Sequence, residues 1–291
     1  MLTAAYEGSA PPNGLVLVPT PLGNLGDITF RAIATLRAAD LILCEDTRTT
    51  ARLLAAHDVH AKVAPLHDHN EDARIPDLLD QLRQGKRIAL VSDAGTPLVS
   101  DPGFRLVRAA LEAGLNVAAL PGPNAALTAL TLSGLPPHPF LFLGFPPPRG
   151  AARRAAFASL RAAERAGLSA TLIWYEAPHR AGETLADLLA MFGDRPAVLA
   201  RELTKHFEQT VRLPLSDLAA KYAETAPRGE VCLLLGPAPQ DADDALDLDA
   251  TLRAALAGAS LKQAVADVTA ATGLPRKQVY ARALALAAEA P

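Results

Sequence analysis

Residues 88–103, IALVSDAGTPLVSDPG, decide the fold of this chain. The apolar run 88–92 is typical of a buried strand, and it passes directly into a loop rich in Asp, Gly and Pro. A helical pattern over 103–113 follows. Since strand, loop and helix follow one another at this spacing, the stretch indicates a parallel sheet with helices on both faces.

The same alternation extends to both sides of this stretch. Further strands and helices are predicted at 15–19, 28–38, 41–44, 49–56, 117–120 and 124–132. In sheets of this kind, ligands bind in the loops beyond the carboxyl ends of the strands. We therefore expect an N-terminal α/β domain over 15–134, with a ligand site in its post-strand loops.

The pattern changes after the segment 134–139, whose glycine and prolines indicate a hinge. Strands and helices are then predicted at 140–145, 151–166, 170–175, 182–191, 197–202, 207–213, 215–222 and 230–235. The strands at 197–202 and 207–213 have no helix between them, which implies a mixed sheet. This predicts a second α/β domain, 135–238, of different topology.

The two ends of the chain differ from these domains. Residues 1–14 carry neither a basic cluster nor an apolar run, so we expect a disordered lead-in rather than a signal peptide. The acidic run 239–250 is interpreted as a linker, and 251–291 as a helical extension with a turn at 271–275. Its basic last helix resembles that of a helix-turn-helix, whereas a helical cap that packs on a partner is the alternative.

Composition favours a soluble protein of the reducing cytoplasm. Half of the residues are hydrophobic, and prolines and glycines interrupt the apolar stretch 115–148 before it reaches the length of a membrane span. Cys44 and Cys232 each lie in an apolar strand, and two cysteines are too few for a disulfide framework or a zinc cluster.

The net charge conceals an uneven distribution along the chain. The chain carries −3, but removing the five aspartates of 241–250 leaves about +2. Five arginines lie within 149–165 against a single glutamate. This run suits nucleic acid, although a solvated helix face explains it equally well.

Several post-strand loops carry candidate ligand residues. The loop 19–29, PTPLGNLGDIT, has neither the dinucleotide nor the P-loop spacing, so NAD and ATP are unsupported. In the loop 91–103, Asp101 is a candidate cap of the next helix, whereas Asp93 has no such role and can bind a ligand hydroxyl or ammonium. In WYEAPHR, 174–180, Tyr175 can stack on a base and Arg180 can hold a phosphate.

Two further clusters carry polar side chains. In CEDTRT, 44–49, Arg48 is a candidate phosphate contact, and the alternative is a helix cap at Asp46 or Thr47. The cluster HDHNE, 67–71, contains histidines and acids but no helical spacing and no distant ligand. We interpret it as a loop that contacts RNA or a partner subunit rather than as a metal site.

An ordered set of motifs resembles a known family. PTPLGNLGDITFRA, EDTR, HDHNE, SDAGTPLVSDPG, LPGPNA, YEAPHR, RELTKHFE and RGE occur in one order between residues 15 and 235. The set is similar to the tetrapyrrole methylase superfamily, and within it to the group that methylates the 2′-oxygen of a decoding-centre cytidine in small-subunit ribosomal RNA. One departure is Asp68, where glutamate is commoner.

The resemblance implies two α/β domains, a homodimer, and S-adenosylmethionine held in the cleft by post-strand loops. The cofactor-binding residues it implies are Pro21, Asp93, Ala94, Gly95, Thr96, Leu98, Pro121, Gly122, Pro123, Asn124, Tyr175, Glu176, Gly229 and Glu230.

Methylation of a ribose hydroxyl also requires a proton acceptor and contacts to the RNA backbone. The candidate bases are Glu45, Asp46, Asp93 and Glu176. The candidate RNA-binding residues are Arg48, Arg149, Arg153, Arg154, Arg161, Arg180, Arg276 and Lys277. No metal is expected.

Two other functions compete with this one. A carbon methyltransferase of the uroporphyrinogen or precorrin type has the same fold and cofactor, but it needs neither the C-terminal helices nor the arginine run. A non-catalytic RNA-binding factor of ribosome assembly is the second alternative. The intact cleft loops argue against it.

Overall fold

A computed structural model describes residues 12–238, 248–272 and 276–289. The first half of the chain alternates strands and helices: β1 (Leu15–Val18), α1 (Phe30–Ala38), β2 (Leu41–Cys44), α2 (Thr47–Ala56), β3 (Val63–Pro65), α3 (Glu71–Arg83), β4 (Ile88–Val91), α4 (Phe104–Glu112), β5 (Val117–Ala119) and α5 (Ala125–Ser133). Strand β3 and helix α3 were not predicted from the sequence. The other elements are confirmed, and most of their ends lie within two residues of the predicted bounds.

The first sheet is parallel throughout and has the strand order β3-β2-β4-β1-β5. Its side chains alternate between two buried faces, as the two-residue period of a strand requires. Val16 and Ile42 pack towards α1 and α2, whereas Leu15 and Leu41 pack towards α3 and α4. The loops that follow β2, β4, β1 and β5 therefore lie side by side at one edge of the sheet.

The second sheet is mixed. Its elements are β6 (Phe140–Phe142), α6 (Gly150–Arg165), β7 (Thr171–Glu176), α7 (Ala181–Phe192), β8 (Pro196–Arg201), β9 (Gln209–Pro214), α8 (Leu215–Tyr222) and β10 (Val231–Leu235). The strand order is β6-β7-β10-β8-β9, with β6 parallel to β7 and the other pairs antiparallel. The predicted mixed sheet is confirmed, and with it the α/β fold class.

Helix α5 covers one face of this second sheet. Ala126, Ala129 and Leu130 pack on Ile173 and Val198, while α6, α7 and α8 cover the opposite face around Trp174. An apolar helix of this kind needs burial on more than one side. Since α5 precedes the proposed domain boundary at residue 134, it connects the first sheet to the second.

The three predicted C-terminal helices are α9 (Leu248–Gly258), α10 (Leu261–Thr272) and α11 (Arg276–Glu289). Together with Ala162–Leu168 at the end of α6, they group into a compact unit distinct from the unit that holds the two sheets. Leu252, Val265 and Val279 form its core, and an Arg282–Asp249 ion pair joins α11 to α9. Residues 1–11 of the proposed lead-in, 239–247 of the acidic linker and 273–275 of the predicted turn lie outside the described residues.

None of the helices in the described part of the chain has the length and apolar character that a membrane span requires. Cys44 and Cys232 are both buried free thiols.

Candidate active site

Hydrogen bonds join the loops that follow β1, β4 and β5. Thr20 and Gly95 exchange two backbone hydrogen bonds, at 2.8 and 3.0 Å. The Thr96 hydroxyl donates to the carbonyl of Pro123 at 2.9 Å and accepts from the amide of Asn124 at 3.2 Å. These bonds cross between neighbouring strands and hold the three loops as one surface.

This surface contains most of the predicted cofactor-binding residues. Pro21 is buried in the β1 loop, and the exposed Pro121 and Gly122 lie in the β5 loop. The structure therefore brings together the predicted residues Pro21, Asp93, Ala94, Gly95, Thr96, Leu98, Pro121, Gly122, Pro123 and Asn124.

The second sheet adds Tyr175 to this surface. The Tyr175 hydroxyl accepts a hydrogen bond of 3.3 Å from the backbone N–H of Ala126, two residues after Asn124. Phe142 and Phe145 pack edge-on against its ring, with centroids at 4.7 and 5.7 Å. Burial raises the pKa of Tyr175 to about 12, so it remains a neutral phenol at physiological pH.

Lys205 connects the segment of Gly229 and Glu230 to the loop after β1. The Lys205 ammonium lies 3.0 Å from the carboxylates of both Glu202 and Glu230. Its side chain passes so close to Gly23 that a Cβ there would overlap it. The predicted second-sheet residues thus lie beside the first-sheet loops.

An open depression of about 440 Å³ lies between these loops. Leu22, Gly122, Asn124 and Thr204 line it, whereas Asp93 and Tyr175 do not. Its volume falls within the range of small-molecule sites. Exposed backbone at Gly122 and the Asn124 side chain supply the polar groups that a nucleoside needs.

A group of carboxylates lies beside this surface, where the β2 and β4 loops meet. The backbone N–H of Asp46 donates to Oδ1 of Asp93 at 3.0 Å. Burial and the charge of Asp93 raise the pKa of Glu45. Burial, with the charges of Glu45 and Asp93, raises the pKa of Asp101 to about 7. No three His, Cys, Asp or Glu side chains within the described ranges are arranged to hold a metal ion.

Asp46 is a helix cap, as the alternative interpretation held. Its carboxylate accepts hydrogen bonds from the backbone N–H and the guanidinium of Arg48, at 2.7 to 3.1 Å. These bonds lower the pKa of Asp46 to about 2, which makes it a poor proton acceptor. The Arg48 side chain keeps 86% of its surface exposed and remains available to RNA.

Glu176 does not fit the predicted role of base. Its carboxylate is buried and accepts from the Thr184 hydroxyl at 2.5 Å and from the Ala177 backbone N–H at 2.7 Å. The Arg180 guanidinium pairs with it at 2.6 Å. Glu176 therefore stabilises the end of β7. The Arg180 guanidinium pairs with this carboxylate and does not have the predicted role of a phosphate contact.

Arg153 is likewise wrongly predicted as an RNA contact. Its side chain is 3% exposed and pairs with Asp187 at 2.7 Å, so it joins α6 to α7. Arg154 pairs with the same carboxylate at 3.3 Å but stays 55% exposed. Arg149, Arg276 and Lys277 are exposed, and Arg161 is half-buried.

The cluster at 67–71 divides into two parts. Glu71 is the first residue of α3 and is buried, and its carboxylate accepts from the backbone N–H of Leu106 at 2.7 Å and of Gly103 at 3.4 Å. It thus caps α4, the role expected of Asp101. Only Asp68 and His69 are exposed, and only these two fit the predicted contact loop.

Sequence reasoning missed Asp101 as a functional candidate. Its position before a helix suggested a cap, and nothing in the sequence places Glu71 at that helix instead. The signal was present in the pairing of Asp93 with Asp101 in one post-strand loop.

Comparison with known proteins agrees with this fold. Residues 14–219 match the family Tetrapyrrole (Corrin/Porphyrin) Methylases, and residues 242–287 match the RsmI C-terminal HTH domain. The structure is similar to the crystal structure of the methyltransferase CobJ, with a TM-score of 0.58 at 21% identity over 77% of this chain and 95% of that one.

Two proteins named Ribosomal RNA small subunit methyltransferase I are similar over nearly the whole chain. The protein from Micromonospora olivasterospora is 48% identical over 91% of this chain and 85% of its own length. The protein from Mesorhizobium japonicum is 43% identical over 94% and 92%. The chain therefore belongs to the tetrapyrrole methylase family, in the branch of these ribosomal RNA methyltransferases.

S-adenosylmethionine is the methyl donor of this family, as the sequence analysis predicted. The residues present fit it. The joined loops offer exposed backbone at Gly122, beside a depression of suitable volume that Pro123 and Asn124 also line.

Proposed function

We propose that this chain uses S-adenosylmethionine to methylate the 2′-oxygen of a cytidine ribose in the decoding centre of 16S ribosomal RNA. The observation that carries the proposal is the similarity, at 48% and 43% identity over more than nine tenths of this chain, to proteins named for methylation of small-subunit ribosomal RNA.

In this proposal the loops after β1, β4 and β5 bind the donor and fix its orientation. When bound, the donor supplies an activated methyl group on a sulfonium. Positioning the ribose oxygen against that methyl group provides a large part of the rate acceleration, because a bimolecular encounter becomes an ordered one. The hydrogen bonds of Thr96 and of Thr20 with Gly95 keep the loops rigid for this purpose.

Six basic residues with exposed or half-buried side chains are the proposed RNA contacts. They are Arg48, Arg149, Arg154, Arg161, Arg276 and Lys277. Lys277 and Arg276 begin α11, so they link the helical extension to RNA. Phosphate contacts of this kind orient the substrate without reading its sequence.

We also propose that the protein acts as a homodimer on 16S ribosomal RNA, either free or within the 30S subunit. Sedimentation equilibrium tests the first part, since a dimer has twice the mass of the 30.4-kDa chain.

Arg149 and the helical extension have no evident use for a tetrapyrrole substrate, which favours RNA over the uroporphyrinogen alternative.

Parallel transfer assays test the proposed substrate. The protein is incubated with tritiated S-adenosylmethionine and, separately, with 30S subunits, free 16S RNA and uroporphyrinogen. We expect label in RNA alone. Label in uroporphyrinogen favours the carbon methyltransferase, and a protein that binds no S-adenosylmethionine in calorimetry favours the non-catalytic assembly factor.

A further inference from the structure

A second cavity, of about 370 Å³, lies between helix α6 and the loop that joins β6 to this helix. Phe157 and Trp174 form the buried part of its lining, and their rings pack edge-on with the centroids 5.7 Å apart. The loop contributes Leu143, Pro146 and Pro147. The volume falls within the range of small-molecule sites, and the surfaces that these residues offer are apolar.

Helix α6 contributes the more accessible part of the lining. Ala156 and Leu160 are half-buried, and Ser159 is exposed. The Ser159 hydroxyl donates to the carbonyl of Ala155 at 3.2 Å, which leaves its oxygen able to accept a hydrogen bond. The cavity therefore combines apolar walls that suit a flat ring with a hydroxyl at its accessible side.

Phe145 connects this cavity to the candidate active site. Its side chain lines the cavity and is 52% exposed, and its ring packs edge-on against that of Tyr175, with the centroids 5.7 Å apart. The Tyr175 hydroxyl in turn accepts a hydrogen bond from the backbone N–H of Ala126, beside the loop after β5. A group bound in the cavity against Phe145 is therefore separated from Tyr175 by a single aromatic ring.

A positive charge lies at the start of the same helix. The carbonyl of Arg149 accepts a hydrogen bond of 2.9 Å from the backbone N–H of Arg153, so Arg149 directly precedes α6, and its side chain is exposed. Ala156 and Leu160 follow it by seven and eleven residues, a spacing that places the three positions on one face of a helix. Arg149 can therefore contact a phosphate of a strand whose base enters the cavity.

We propose that this cavity receives an unstacked base of the RNA strand that carries the methylated ribose; this inference rests on the function proposed above. A ribose hydroxyl is the same in every nucleotide, so a ribose methyltransferase must select its site through bases and RNA shape. Proteins recognise single-stranded RNA through bases that leave the stack and pack on aromatic side chains. Phe145 and the cavity supply such a surface beside the candidate active site, and Arg149 supplies a contact to the backbone.

Variants that fill the cavity test the proposal. Ala156→Leu and Ser159→Leu add a branched side chain to the cavity lining, and Ala158→Leu, at an exposed position on another face of α6, is the matched control. Leucine favours a helix at each position. In methyl transfer to 30S subunits, both filling variants should raise KM for the subunit about 10-fold, with kcat and S-adenosylmethionine affinity within about twofold of wild type. The control should keep all three values within about twofold.

Filter binding to protein-free 16S RNA identifies the occupant. It is measured at low salt, where attraction to the phosphates holds the protein on RNA. Both filling variants should bind this RNA about 10-fold more weakly than Ala158→Leu does. Equal affinities, with KM for the subunit still raised, assign the cavity to a protein segment of the subunit and overturn the proposal.

A KM within about twofold of wild type for Ser159→Leu also overturns it. Since Ser159 is exposed, this variant keeps the test decisive if Ala156→Leu fails to fold. A wild-type protein that labels no RNA contradicts the proposed function instead, which distinguishes the two failures.

Discussion

The backbone N–H of Asp46 donates a hydrogen bond of 3.0 Å to Oδ1 of Asp93. This bond joins the loop after β2 to the loop after β4, and the Asp46 carboxylate in turn caps α2. Among residues 12–238, no hydrogen bond reaches Oδ2 of Asp93. One oxygen of Asp93 therefore fixes the loops, and the other is available to a ligand.

Asp93 variants separate these two roles. Asp93→Asn retains an oxygen acceptor for Asp46 but loses the charge, and we expect S-adenosylmethionine affinity to fall about 10-fold. Asp93→Ala removes both and should lower affinity about 100-fold. Calorimetry measures the affinities, with Asp194→Asn as a distant control, since the Asp194 carboxylate accepts hydrogen bonds from Ser216 in the first turn of α8. Equal affinity of both variants and the wild type would contradict a ligand contact at Asp93.

Glu71 should prove structural. Its buried carboxylate caps α4, so Glu71→Gln should lower the free energy of unfolding by about 1–3 kcal/mol. The neighbouring Asp72 pairs with Arg105 at the surface. Asp72→Asn should therefore change the free energy of unfolding by less than about 0.5 kcal/mol. Urea unfolding compares them, and equal effects would contradict the capping role.

Most of the fold follows from hydrophobic patterning, and the exceptions have local causes. Strand β3 has only three residues, none of them buried. Helix α3 contains Pro76 and lacks a side-chain cap at Asn70, so neither its start nor its interior carries the usual signals. Its Leu78 and Leu82 are buried by tertiary packing on the first sheet.

The candidate site was harder to predict because side-chain partners depend on tertiary contacts. The post-strand position of the 93–96 and 121–124 loops was sufficient to place them together. It could not show that Arg153 meets Asp187 of another helix, or that Glu71 displaces Asp101 from the α4 cap. The Glu176–Arg180 pair was not predicted either, although its members are only four residues apart in the sequence.

Arg153 of α6 and Arg149, which directly precedes that helix, should behave differently. Arg149→Ala should weaken binding to RNA and reduce the slope of log affinity against log salt by about 0.7–0.9. Arg153→Ala should leave that slope unchanged and destabilise the fold by about 3 kcal/mol, because it leaves Asp187 buried without its main partner. Filter binding across salt concentrations, with thermal unfolding in parallel, tests both. The reverse pattern would contradict the assignment.

Asp101 should also affect stability with a defined pH dependence. Its folded-state pKa is raised from 3.8 to about 7, so between these values the folded protein holds a proton that the unfolded chain releases. The free energy of unfolding contributed by this group therefore falls as pH rises through that window. Asp101→Asn removes the effect and should gain about 2 kcal/mol relative to wild type between pH 5 and pH 8. Parallel pH dependences of the two proteins would contradict the raised pKa.

The position of the transferred methyl group tests the central claim most directly. After transfer of tritiated methyl to 30S subunits, the RNA is hydrolysed in alkali, which cleaves every linkage except those beside a blocked 2′-oxygen. The account predicts label in a single alkali-resistant dinucleotide that yields 2′-O-methylcytidine on complete digestion. Label in alkali-released mononucleotides, which places the methyl group on a base, would contradict it.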